Sequence, residues 1–242
     1  MTIFNVYILL FVSGCILQLS FITCDSHGYM KSALLLKALA AFCFVGMGAI
    51  AFMRLQVNNA YPILICCGLA AGAIGDIGLG LRHTLKKNSF PYHVTFLIGI
   101  VCFLGGHICY LVAAGMGIDY WYIYVLVAVV CALVFLHFFF KVLTMKKIYK
   151  VVGTIYVCVL FAFVFCAVGT VVECAAVGMI LDRAPGFSFF LFAISSIVFT
   201  VSDVLTVLNA FGAKKHPTMR LFSLSLYYAA QVGIATSLMF LV

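Results

Sequence analysis

The chain has 242 residues, 67% of them hydrophobic and only 8% charged. A soluble domain carries about a quarter charged residues, so this composition excludes one and makes the chain an integral membrane protein. The formal charge of +8 does not point to nucleic acid, because the basic residues sit in short connections between apolar runs.

The apolar runs suit helices, which need about twenty residues each to cross a bilayer. The weak alternating segments of a transmembrane barrel are missing. The first run, 3–22, has no basic flank and no A-x-A site, so it reads as a retained span and not as a cleaved signal. Eight spans follow in order: 4–23, 32–53, 61–81, 92–114, 120–142, 150–180, 187–209 and 219–241. The expected fold is all-α, a polytopic bundle of eight transmembrane helices forming one domain over 1–242. The sixth span is too long for a simple crossing and is expected to tilt or to run into the interface. Pro62, Pro91, Pro185 and Pro217 fall at or beside span boundaries, as helix-start and turn chemistry prefers. Nearly all of the eleven cysteines lie inside apolar runs without metal-type pairing, and they read as small buried hydrophobes.

Polar residues inside the spans are the candidates for function. Lys37 lies in the second span, either as a lysine snorkelling to the rim or as part of a site. In the third, Gly68, Gly72, Asp76 and Gly80 recur every four residues, a face that lets another backbone approach and aims Asp76 into a helix interface. Asp76 could serve chemistry or simply pair with Lys37. The fourth span carries Gly99, Phe103, His107 and Tyr110 on one stripe, where His107 is either functional or a hydrogen-bonded core residue. Tyr156 in the sixth span is left undecided, and His137, Lys141 and Tyr149 read as interface residues. Glu173 is placed near the outer end.

The stretch 187–211 holds Asp203 in an otherwise greasy run. A carboxylate in a spanning helix costs roughly 2.5–3.5 kcal/mol on insertion scales. Ser196, Thr200 and Asp203 follow at spacings of four and three, one polar face that points to protein or to a water-filled cavity. In the eighth span Gln231 lies four and three residues beyond Tyr227 and Tyr228, a pair deeper than belt tyrosines need to be.

Connections after spans one, three, five and seven hold eleven basic residues, against two, Arg54 and Arg183, on the other side. By the positive-inside rule both termini lie outside and the basic loops face the cytoplasm. Lys37, Asp76 and Asp203 lie five, five and six residues from span ends on that basic side, so about 8–9 Å deep at the rise of a helix. Charges at one depth on three helices suggest a single site. An internal duplication into two four-helix halves is also suggested, with an aspartate in the third helix of each.

The segments LLLKALAA with Lys37, GAIGDIGLGL with Asp76 and FLIGIVCFLGGHICY with His107 and Tyr110 come in order. FTVSDVLTVLNAF with Asp203 and YYAAQ at Tyr227, Tyr228 and Gln231 complete the set. Together they resemble the YhhN-like family, whose characterised members are lysoplasmalogenases. Ala38 departs from the proline that the family often has after the lysine. The resemblance implies a multi-pass protein of the bacterial inner membrane. It would hydrolyse the vinyl ether of lysoplasmalogens to a fatty aldehyde and a glycerophosphoethanolamine or glycerophosphocholine, with no cofactor and no metal. The partners expected are the lysophospholipid substrate and the bilayer.

That chemistry suits the residues. Protonating the β-carbon of a vinyl ether leaves an oxocarbenium ion that water captures, and the hemiacetal then collapses. One of Asp76 and Asp203 would be kept protonated by burial and the other held ionised near Lys37, with the assignment open. Tyr110, Tyr227, Tyr228, Gln231 and His107 would orient water or the glycerol hydroxyl, and Lys37 could instead meet the substrate phosphate. The alternatives are a proton- or ion-coupled transporter, to which membrane acids and a lysine would be equally useful, and a lipid ester or amide hydrolase. The six histidines are scattered, which does not suit a zinc site.

Overall fold

The computed structural model describes residues 3–55, 59–87, 89–179 and 183–241. Its helices are α1 (Ile3–Ser26), α2 (Met30–Leu55), α3 (Ala60–Arg82), α4 (Phe90–Gly115), α5 (Trp121–Val142), α6 (Lys147–Ala176), α7 (Gly186–Phe211) and α8 (Pro217–Ser237). A short 3-10 turn, Leu238–Phe240, extends α8. All eight are long and apolar enough to cross a membrane, as the sequence predicts. Hydrocarbon offers no partner to an exposed peptide group, so a spanning chain must close its own hydrogen bonds as these helices do.

The helix ends are set by local chemistry. Asn59 caps α3, its side chain accepting from the Tyr61 N–H at 3.2 Å. Pro217 opens α8 where no intrahelical donor is needed. In two other helices the hydropathy boundaries are corrected. α1 runs three residues past the predicted 23, to Ser26, because its stop is Gly28 at φ +80°. Gly28 donates to the Asp25 carbonyl and Tyr29 to that of Cys24, the paired bonds of a glycine-terminated helix. α6 begins three residues before the predicted 150 and ends at Ala176, short of 180, which lies outside the described residues. Its stop is Gly178 at φ +75°, with the same two bonds to Ala175 and Cys174. α1 thus outruns its apolar stretch and α6 stops short of its own, and in both the left-handed glycine, not the run of apolar residues, ends the helix.

The chain forms two compact units, one ending at Cys109 and the other starting at Tyr110, so the division falls inside α4 and not after it. In the first, α1 packs along α2 and α2 along α3. α3 and α4 approach closely through glycines: a Cβ on Gly106 would lie 3.1 Å from the Gly68 carbonyl oxygen, and one on Gly75 would lie 2.8 Å from the Phe103 ring. Gly80, at the end of the predicted small-residue face, lies against Leu34 of α2. The core here includes Phe44, Met47, Ile65 and Leu69.

In the second unit α5 packs on α6, α6 on α7 and α7 on α8. Gly233 of α8 leaves room for Ser195 of α7, which a side chain there would displace. Phe163 and Phe192 are fully buried and meet Tyr110 tilted and edge-on, at 5.4 and 6.3 Å between ring centres. Leu136, Phe139 and Leu143 form a further cluster closed by Val204, Val207, Leu208 and Phe211. The eleven cysteines are free thiols, but only Cys43, Cys166 and Cys174 are buried, and Cys67 is exposed. Most are therefore half-covered helix-surface residues and not core fillers.

Candidate functional site

In the first unit Lys37 and Asp76 form an ion pair, Nζ to Oδ1 at 2.8 Å. α2 runs without a break through Ala38 and carries the lysine to the α2–α3 interface. Asp76 is 2% exposed and the Lys37 side chain 15%, so the amine turns inward and does not snorkel to the rim. The Phe21 ring of α1 lies 5.7 Å from the same nitrogen. Taking both charges out of water is costly, and the pair survives because each neutralises the other at contact distance. The expectation that Asp76 faces a packed interface, at the same level as Lys37, therefore holds for these two residues.

His107 is also in this unit and buried. Its Nδ1 donates to the Phe103 carbonyl one turn back at 2.7 Å. That bond fixes the ring and is compatible with either role weighed for it in the sequence.

In the second unit Asp203 accepts a hydrogen bond on Oδ2 from the Tyr156 hydroxyl at 2.7 Å, across α6 and α7. Both side chains are half-buried. Next to Asp203, Ser202 is buried and donates to the Ser223 carbonyl at 2.7 Å, tying α7 to α8. The rest of the predicted polar face is more self-contained: Ser196 donates to the Ala193 carbonyl and Thr200 to that of Ser196, each within α7.

The same unit joins three of the other candidates. The Tyr110 hydroxyl donates to Gln231 Oε1 at 2.9 Å, and Gln231 Nε2 donates to the Tyr227 hydroxyl at 3.1 Å. All three are buried, as is Tyr228, which excludes the belt-anchor role for the α8 pair. Tyr227 also meets Phe199 edge-on at 5.4 Å between ring centres. Gln231 is suited to this place because its amide offers both an acceptor and donors in one plane.

Sequence reasoning left Tyr156 aside, although a signal was present. It lies six residues from 150, on the basic side, the same count that separates Asp203 from 209. Of the residues read as interfacial, His137 and Lys141 are exposed, with the Lys141 amine 5.1 Å from the Phe138 ring centre, while Tyr149 is half-buried with its ring 5.9 Å from that of Phe211. Glu173 accepts from the Tyr124 hydroxyl at 3.4 Å.

Among the described residues no three His, Cys, Asp or Glu side chains gather into a metal-type cluster. What the arrangement offers is two carboxyls in unlike settings, one beside an ammonium and one beside a phenol. No curated protein and no solved structure matches the chain. The sequence model of the YhhN family matches residues 31–238, from the start of α2 to the end of α8 and across both units. The chain belongs to the YhhN family.

Proposed function

We propose that the protein is a lysoplasmalogenase, a membrane hydrolase acting on the vinyl ether of lysoplasmalogens. The observation that carries this is the contrast between Asp76, salt-bridged to Lys37, and Asp203, hydrogen-bonded by Tyr156. Vinyl ether hydrolysis asks for two such carboxyls. One delivers a proton to carbon and the other meets positive charge, and environments that differ are what separate such roles.

Asp203 is the proton donor. Tyr156 donates to its Oδ2 and fixes the orientation of the carboxyl, which carries the proton to the β-carbon of the vinyl ether. The C=C bond supplies the electron pair, and positive charge spreads over the neighbouring carbon and the ether oxygen. Asp76, held ionised by the Lys37 ammonium, steadies that charge and takes a proton from the attacking water. The hemiacetal then breaks its bond to the glycerol oxygen, which takes the proton from Asp76 and leaves as a hydroxyl, while the hemiacetal O–H returns its proton to Asp203 as the carbonyl of the fatty aldehyde forms. Water is consumed and both carboxyls return to their starting states. Lys37 serves as counter-ion to Asp76, and the Tyr110–Gln231–Tyr227 chain, with Tyr228 and His107, orients the water or the glycerol hydroxyl.

The lipid enters from the leaflet on the basic side, which faces the cytoplasm, with both termini outside. The test is a panel of lysoplasmalogens and ordinary acyl lysophospholipids given to the purified protein, with aldehyde and fatty acid measured separately. Aldehyde from the former and no fatty acid from the latter is expected. Fatty acid release would place the protein among ester hydrolases instead, and solute uptake into proteoliposomes without lipid turnover would make it a transporter.

A further inference from the structure

Arg82, the last residue of α3, is held more firmly than an interfacial cation needs to be. Its Nη2 donates to the Tyr92 hydroxyl at 2.6 Å, and its guanidinium lies 4.3 Å from the Tyr92 ring centre and 4.1 Å from that of Phe96. Tyr92 and Phe96 are four residues apart on α4, so both rings stand on one helix face beneath the cation. The Ser89 hydroxyl accepts from the Tyr92 N–H at 3.4 Å, which steadies the start of that face.

The helix C-terminus and the aromatic rings explain why a cation sits here. They do not use its donors. A guanidinium has five N–H groups in a planar fork, and among the described residues Arg82 uses one; its Nε is buried without an acceptor. Among the described residues no carboxylate pairs with its charge. The sequence holds no Asp or Glu between Asp76 and Asp119, while Lys86 and Lys87 are exposed in the same connection. A flat fork already fixed against rings loses little freedom when it takes an oxyanion, and phosphate is the oxyanion it fits two bonds at a time. Arg82 ends an apolar spanning helix, the level at which a bilayer keeps its phosphates.

We propose that Arg82, shelved on Tyr92 and Phe96 and assisted by Lys86 and Lys87, is a lipid-phosphate site that holds the phosphodiester of a phospholipid head group. Asp76 lies six residues earlier on α3, about 9 Å deeper. A phosphate at Arg82 therefore sets the depth at which the rest of the lipid enters. That last step rests on the proposed hydrolase; the phosphate site itself does not.

The experiment reads lipid retention and not turnover, so it is independent of whether aldehyde is ever released. The full-length protein in detergent is titrated with lysophosphatidylethanolamine or with a monoacylglycerol of the same chain, and bound lipid is counted by native mass spectrometry. The native protein should prefer the phosphate-bearing lipid by about tenfold, and Arg82→Gln should lose that preference. Arg82→Lys, which keeps the charge but not the fork, should retain only part of it, and the paired change Lys86→Gln, Lys87→Gln should weaken it a few-fold. Equal retention of the two lipids by the native protein, or undiminished preference in Arg82→Gln, overturns the site. Should Arg82→Gln fail to fold, undiminished preference in Arg82→Lys overturns it as well. Millimolar inorganic phosphate that displaces the lysolipid completely would make the ligand free phosphate and reject the head group.

Discussion

Two side chains decide how Asp76 and Asp203 behave, and each can be removed separately. Lys37→Met leaves Asp76 without its ammonium partner inside a helix interface, where breaking such a pair costs about 3–5 kcal/mol. The double variant Lys37→Met, Asp76→Asn should regain most of that loss, because no charge remains to be answered, yet should release no aldehyde. Thermal unfolding in detergent measures the first effect and a product assay the second. Tyr156→Phe removes one hydroxyl and keeps the ring. If the phenol fixes which oxygen of Asp203 is occupied, kcat should fall about tenfold with KM little changed, since the substrate itself is not touched. A rise in KM alone would make Tyr156 a substrate contact instead. Much at this scale was legible: Lys37, Asp76 and Asp203 stand out because charge inside an apolar run is expensive. Tyr156 does not, because a tyrosine there costs little and its partner is 47 positions away in the chain.

Helices here are fixed by glycine in two distinct ways. At Gly28 and Gly178 the backbone turns left-handed and stops a helix, while at Gly75 and Gly106 a missing side chain lets α3 and α4 close on each other. Hydropathy sees neither, which is why the eight spans were readable but the ends of α1 and α6 were not. The packing role separates neighbouring glycines of the same sequence. Gly75→Ala would press a methyl group 2.8 Å from the Phe103 ring and should cost about 1–3 kcal/mol. Gly105→Ala meets nothing within 4 Å and should be neutral or stabilising by up to about 1 kcal/mol. Melting temperatures of the two variants decide it, and equal loss in both would remove the close approach as the cause. A spacing of four residues hinted at the small face along α3; which partner each glycine meets depends on how α2 and α4 are rotated, and one strand of sequence does not contain that.

For the whole molecule, the composition alone established a membrane protein, and five short segments in order carried the family, whose match runs across both units. Asp76 lies on α3 of the first unit and Asp203 on α7 of the second. A protein that used only one of them would need its second proton-handling group elsewhere. The hydrolase account needs both. Its most direct test is aldehyde release from a lysoplasmalogen by the native protein, Asp76→Asn and Asp203→Asn, each reconstituted in lipid and checked for native melting. Loss of aldehyde by about a hundredfold or more in both folded variants is the predicted result. Native aldehyde release from either one would contradict the account.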